Sequence, residues 1–366
     1  MSYTINMNVL NSDHLLHVKD GSYTVHKYAP KPENNLYNYR SVITHCNSER
    51  CNVEEVVCFS PPKSITFRDF LDLYSSKDII VEEYIEGTMV NVFFVNGEWK
   101  IASRSKINAD CFFFDTNGHF SNMAKESFIA CCLDLTALNK DYCYSFVIQH
   151  PNNRIVTKFE TMSVYLIVVY KIETTQDPNE RQIREVCDIQ NNPLWETTNI
   201  QFPAKILNFD LKSEHPYTRM GDITEQPYTH MGVVFKDPVS GARCKLRNPA
   251  YEYVRHLRGN QPKLMYRYLE LRKIEKIMEY LKYFPEHADK FALFQSKIHA
   301  YTSALYNLYV TTHILKQESP DKNAKRFKTS LFKLHEIYIT QHVKINLSQV
   351  ITFVNSLPEA VLMSII

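Results

Sequence analysis

The sequence predicts an α+β protein, with an antiparallel-sheet domain followed by an all-helical C-terminal domain, and two patterns carry that expectation. The first is Val90-Asn-Val-Phe-Phe-Val95 followed by Glu98-Trp-Lys-Ile-Ala-Ser-Arg104, two β-rich runs joined by Asn96-Gly97, the dipeptide that type I′ hairpin turns prefer. The second is the recurrence of Leu264, Tyr268, Leu271, Ile274, Met278 and Leu281 at steps of three and four between Pro262 and Tyr283, which is a helical stripe. Strand patterns early and helix patterns late are the arrangement expected of an α+β chain.

Further runs of β-branched and aromatic residues predict strands over Tyr142–Ile148, Arg154–Tyr170 and Gly232–Lys236. Asp237-Pro-Val-Ser-Gly241 turns the last of these into Cys244–Arg247. Thr174 to Asn192 reads as a polar loop or a peripheral helix. Beyond Pro285, Phe291, Phe294, Ile298, Tyr301, Leu305 and Leu308 predict a second helix over about Glu286–Lys316. The charged run Asp321–Arg326 separates it from a third near Phe327–Gln341, and Asn346 begins a short fourth that Pro358 closes. The expected domains are 1–255 and 256–366.

Composition excludes several functions. Only 8 of 366 residues are glycine, against roughly 7% in an average protein. Neither a Walker-type phosphate loop nor a three-glycine dinucleotide fingerprint occurs, although both need glycine so that backbone can approach phosphate. No apolar run reaches the roughly 18 residues of a membrane span, and the polar start Met1–Asn8 lacks the shape of a secretory signal, so a soluble, cytoplasmic protein without membrane partners is expected. The nine cysteines, odd in number and without a Cys-x-x-Cys pair, read as reduced, mostly packed thiols.

Net charge is +2, but residues 256–366 hold 16 Lys/Arg against 9 Asp/Glu, leaving 26 against 31 in the first 255. The basic C-terminal part reads either as a polyanion-facing surface or as a set of solvated helix faces. Arg255, Arg258, Lys263, Arg267, Arg272, Lys273 and Lys276 cluster around the first long helix with Tyr253, Tyr266 and Tyr268 among them, a mixture suited to RNA phosphates and unpaired bases. Glu270, Glu275 and Glu279 at helical spacing equally fit a plain solvated face.

Four segments follow one another in a telling order: Tyr84-Ile-Glu-Gly-Thr-Met89, Phe146-Val-Ile-Gln-His-Pro-Asn-Asn-Arg-Ile-Val156, Met231-Gly-Val-Val-Phe235 and Lys245-Leu-Arg-Asn-Pro-Ala-Tyr251. Over residues 35 to 255 they resemble the nucleotidyltransferase motifs of the phage-type RNA ligases, relatives of DNA ligases and mRNA capping enzymes. Pro151-Asn-Asn-Arg-Ile-Val156 is the most specific piece. With Phe59-Ser-Pro-Pro-Lys-Ser64 and Tyr253–Lys263, the chain also looks like a ligase-like protein group of large nucleocytoplasmic DNA viruses. The resemblance implies an antiparallel-sheet, ATP-grasp-like nucleotidyltransferase domain and a viral setting, in host cytoplasm or virion.

In that family a lysine amine attacks ATP, carboxylates hold metal and ribose, and a final basic pair neutralises the α-phosphate. Here Tyr84 aligns with the nucleophile, and Val147 and Met231 align with two of the acids. The matching cations and supporting residues are Arg40 on an early strand, Glu86, Gly87, Arg104, Asn153, Arg154, Lys245 and Arg247, with Lys63 on a loop as a further phosphate contact. Arginine and lysine grip phosphate without a metal. The plainer alternative is that Asn153-Arg154 shapes a turn and that Lys245 and Arg247 are exposed strand residues. His150 reads as a packed turn residue.

The expectation is a ligase-like pseudoenzyme that binds RNA or nucleotide through these residues and through Arg258, Lys263, Arg267, Arg272 and Lys273, with no cofactor. Two alternatives stand beside it. One is an active ATP-dependent RNA ligase using ATP and Mg²⁺, with Lys106 as displaced nucleophile and Glu82, Glu83 or Glu86 as metal ligands. The other is a structural role with protein partners, in which side chains fill the old cleft.

Overall fold

A computed structural model describes residues 1–47, 53–74, 78–112, 118–206, 226–317 and 324–366. Strand β1 (Ser2–Asn6) is followed by helix α1 (Met7–Leu10) and by a meander of β2 (Leu15–Asp20), β3 (Tyr23–Tyr28), β4 (Val42–Asn47) and β5 (Val53–Phe59), paired in that order. Helix α2 (Phe67–Tyr74), β6 (Ile80–Glu83), β7 (Thr88–Val95), β8 (Glu98–Ser103) and α3 (Phe120–Ala130) come next. Strands β9 (Tyr142–Gln149), β10 (Ser163–Thr174), β11 (Glu180–Glu185), β12 (Gly232–Lys236) and β13 (Arg243–Arg247) complete the sheets, and helix α4 (Pro249–Arg258) follows. Among the described residues there are three sheets, ordered β2-β3-β4-β5, β1-β11-β10-β9-β7-β8 and β13-β12-β6. All their pairings are antiparallel.

The hairpin stands where its sequence puts it. Val95 pairs with Glu98, and the intervening Asn96 and Gly97 have φ of 51° and 80°, the positive values a type I′ turn requires. Two expectations need correction. The run from Arg154 is not strand until Ser163, because the N–H groups of Val156 and Thr157 donate to the Glu86 carboxylate, at 2.6 and 3.1 Å, instead of to a neighbouring strand. The polar stretch Thr174–Asn192 contains β11, a full member of the large sheet between β1 and β10. Its single apolar residue, Ile183, is fully buried, and one residue is too little alternation to reveal a strand.

The chain divides into two compact units, Met1–Arg255 and His256–Ile366. In the second, the expected helix Pro262–Tyr283 is two helices, α5 (Leu264–Lys273) and α6 (Ile277–Tyr283), broken at Glu275, whose φ is 57°. The break re-phases the stripe. Tyr280 and Phe284 turn inward, with ring centroids 5.2 Å between Tyr280 and Phe291 and 5.0 Å between Tyr268 and Phe291, while Ile274 and Met278 are left 57% and 74% exposed. Helix α7 (Ala288–Tyr309) runs into a π turn at Val310–Ile314, and α8 (Lys328–Gln341), α9 (Leu347–Ser356) and α10 (Glu359–Ile365) complete the unit. The Asn346 side chain caps α9 by accepting from Gln349 N at 3.0 Å.

Among the described residues no helix is long and apolar enough to cross a membrane. The eight described cysteines are free. Cys58, Cys131, Cys143 and Cys244 are buried, and Cys132 and Cys187 are exposed.

Gly87, between β6 and β7, lies tightly against β9. Its φ is 148°, and a Cβ there would collide with the Ile148 carbonyl oxygen and with Val147 Cγ1. Gly87→Ala should therefore cost about 1–3 kcal/mol from backbone strain alone; an unchanged urea midpoint would contradict this.

Candidate functional site

The three-stranded sheet separates its residues by chemistry. In β13 the residues Arg243, Lys245 and Arg247 alternate with Cys244 and Leu246. Successive strand side chains point to opposite faces, so the three cations share one face and the apolar pair shares the other. The apolar face, made by Val81, Val233, Phe235 and Cys244, packs against Phe70 of α2. Register places Glu82, Val234 and Lys245 in one row, and Ile80, Lys236 and Arg243 in the next. Tyr84 lies just beyond β6, and its N–H donates to the Gly232 carbonyl at 2.9 Å, which sets it on the cationic face beside Arg247, the partner of Gly232.

Tyr84 and Lys245 meet there. Lys245 Nζ donates to Tyr84 Oη at 3.1 Å and lies 4.5 Å from the ring centroid, with Arg247 Cζ 5.8 Å from the same centroid. Burial by itself would raise the phenol pKa, but the Lys245 and Arg247 cations outweigh it and bring Tyr84 down to about 8. Burial also dominates at Lys245, where the Arg40 and Arg243 charges reinforce it against the opposing Tyr84, and its amine falls to about 8. Arg40 is pulled below its usual value by burial and then by Arg104. The Nε atoms of Arg243 and Arg247 are buried without a hydrogen-bond partner among the described residues.

A cavity of about 40 Å³ opens at this junction, walled by Arg40, Arg243, Lys245, Tyr84, Glu82 and Glu83 on the polar side and by Met89, Val147 and Ile167 of the large sheet on the other. The arrangement can neutralise an anion. It does not suit a catalytic metal: Val147 offers no ligand, Glu82 is tied to Lys236 at 2.6 Å, and no group of three or more metal-ligating residues occurs among the described residues.

The structure brings Arg40, Lys245 and Arg247 together around Tyr84. Arg40 stands at the end of the 3₁₀ turn Asn34–Tyr39 rather than on a strand, and Arg104 lies one residue past β8, exposed. Arg243 was not anticipated; the alternation Arg243, Lys245, Arg247 is the signal that would have found it. Met231 precedes β12 and is half-buried.

Other anticipated residues hold backbone. Glu86, 4% exposed, accepts from Val156 and Thr157, and burial raises its pKa despite those bonds. Asn153 donates to Thr88 Oγ1 at 2.6 Å, and Arg154 Nε donates to the Val156 carbonyl at 3.0 Å. His150 is buried in its turn, bonded to Glu126 at 3.1 Å, as expected of a packed residue. Lys63 lies 3.9 Å over the Tyr37 ring, and the Lys106 amine donates to the Asp110 carbonyl at 2.8 Å, outside the cavity wall.

In the second unit, Arg267 donates to the His256 and Leu257 carbonyls at 2.9 and 2.6 Å and pairs with Glu270 at 2.8 Å. Arg272 bonds Asn355, and Lys273 pairs with Glu359 at 3.2 Å. These three therefore stitch helices together. Lys263 sits at the start of α5 with its side chain exposed, and Arg258 ends α4.

Neither a protein-family profile nor a curated protein matches the sequence. Solved structures similar in chain course are ATP-dependent ligases. A putative ATP-dependent DNA ligase from Aquifex aeolicus is 12% identical, with 98% of this chain and 77% of that one covered and a TM-score of 0.43. An archaeal ATP-dependent RNA ligase is 14% identical, with 90% and 86% covered and a TM-score of 0.47. A Naegleria gruberi RNA ligase is 13% identical, with 53% and 57% covered and a TM-score of 0.38.

Tyr84 should titrate early. Of 23 tyrosines, one should give a tyrosinate absorbance step near pH 8, missing in Tyr84→Phe and moved upward in Lys245→Met, where Arg247 is left to oppose burial without the lysine. Between about pH 8 and 10 the unfolded chain keeps a proton that the folded chain has released, so this pair makes stability rise with pH across that window. A wild-type step at the ordinary value would contradict the assignment.

Proposed function

We propose that this protein is a ligase-like pseudoenzyme that has given up lysine adenylylation and binds RNA or nucleotide phosphate as an accessory or scaffold factor. The observation that carries the reading is Tyr84 held by Lys245 on a face of three strand cations. The position that the motif resemblance assigns to the nucleophilic amine holds a phenol engaged with the very lysine that would neutralise phosphate. A phenol would link AMP as an aryl phosphodiester, not as the phosphoramidate that the motif resemblance implies.

The displaced-lysine reading fares worse. The Lys106 amine is committed to Asp110, and the acids offered as metal ligands are Glu82 and Glu86, bound to Lys236 and to backbone N–H groups, and Glu83. The small cavity favours one other reading, a structural role with protein partners. The motif resemblance to a viral ligase-like group supports a role in RNA processing during infection or in the virion, with no cofactor.

Fluorescence-anisotropy titration of single-stranded RNA separates the two. Binding should weaken steeply with salt, and Arg40→Gln or Arg104→Gln should flatten the log–log salt slope by about 0.7 for each phosphate that the guanidinium neutralises. No RNA affinity at low salt would end the RNA-binding reading. Labelled ATP with Mg²⁺ or Mn²⁺ should leave no acid-labile adduct, and one that vanishes in Lys106→Ala would restore the active-ligase reading.

A further inference from the structure

The cationic cavity is charged, partly unsatisfied and already in contact with one of its own side chains. Arg243 and Arg247 each bury an Nε donor that finds no acceptor among the described residues. Arg40 is drawn below its usual pKa by burial in the same wall. Cations gathered in a low-dielectric pocket are costly unless an anion joins them. Glu82 is already held by Lys236 at 2.6 Å, and Glu252 holds Arg247 from outside the cavity wall at 2.7 Å. The group that answers Lys245 is Tyr84, through its hydroxyl at 3.1 Å.

Cavity size limits what else can answer. About 40 Å³ is space for roughly three water-sized groups, comparable to a phosphate head and well short of a nucleoside. A terminal phosphate dianion has acceptor oxygens for the orphaned Arg243 donor, the Arg40 guanidinium and the Lys245 amine at once. A diester inside a chain must thread two substituents through the same opening.

We propose that this cavity is a site for a terminal phosphate dianion, either inorganic phosphate or a phosphomonoester end, and that Tyr84 is a built-in competitor occupying Lys245 until the phosphate displaces it. This rests on the phosphate-binding reading above and adds the ligand form and the competing side chain. The charged and titratable groups facing Tyr84 are Lys245 and Arg247 from β13, Arg40 from the turn before β4 and Tyr251 from α4. As pH rises through about 8 the amine loses charge and the phenol gains it, so both changes favour Tyr84 over the phosphate.

Calorimetric titration of the full chain uses inorganic phosphate and one oligoribonucleotide made with a 5′-phosphate or a 5′-hydroxyl. Tyr84→Phe removes only the hydroxyl and should tighten phosphate binding about tenfold, the worth of one charge-assisted hydrogen bond. Arg243→Gln should abolish it, and bound phosphate should move the wild-type tyrosinate step upward, a readout that needs no variant to fold. Preference for the 5′-phosphorylated strand assigns the site to nucleic-acid ends; binding of inorganic phosphate without that preference assigns it to the free ion. Unchanged or weaker phosphate binding in Tyr84→Phe overturns the competition. Equal binding of both oligonucleotides with no competition from inorganic phosphate overturns the site, while RNA binding itself stands.

Discussion

Three cations two residues apart on one short strand set the terms for the first unit. The alternation that buries Cys244 and Leu246 against α2 forces Arg243, Lys245 and Arg247 onto the other face, where the large sheet limits access to water. Like charges a few ångströms apart in a partly dry cavity repel by several kcal/mol at an effective dielectric near 20. The structure lowers that cost in three ways. Lys245 sheds its proton more readily, Glu252 pairs with Arg247 at 2.7 Å, and Tyr84 supplies a polarised phenol. The same adjustments tie the charge of the site to pH.

Legibility in the sequence followed how local each determinant is. The Asn96-Gly97 hairpin was readable because two residues fix its turn. The late helices were readable from periodicity, but the break at Glu275 was not, since it accompanies the aromatic packing of Tyr280 on Phe284 and Phe291, which is tertiary. Strand β11 was hidden because only Ile183 of its six residues faces a core. Lys245 and Arg247 were legible through the motif resemblance. Arg243 completes their period-two pattern, but it lies ahead of the motif and of the run that reads as strand. Arg267, Arg272 and Lys273 looked alike as basic residues, and composition carries no information about the carbonyls, amide and carboxylate that claim them.

The ligase-like motifs divide by the work each residue does in this chain. Glu86 satisfies two buried N–H groups, Gly87 permits a close strand approach, and Asn153 ties its turn to Thr88. Loss of any of these would leave a buried donor unpaired or a backbone strained, at a cost of roughly 1–3 kcal/mol each. Tyr84 and Val147 line the cavity wall, where their side chains set its chemistry. Three residues that match the motif, Glu86, Gly87 and Asn153, are thus ones that hold backbone, while Tyr84 and Val147 face the cavity.

The same cavity wall limits which side chain suits position 84. A lysine at position 84 would add one more cation to Arg40, Arg243, Lys245 and Arg247, with Glu82 already committed to Lys236 and no carboxylate at 147 to share the charge. With Glu83 as the wall's one further carboxylate, that amine would be an unfavourable addition to the cluster. A phenol is neutral at low pH, accepts from Lys245 and becomes an anion as pH rises, so it relieves the repulsion that a lysine would worsen. A tyrosine at this position therefore suits the cationic cluster better than a further cation would.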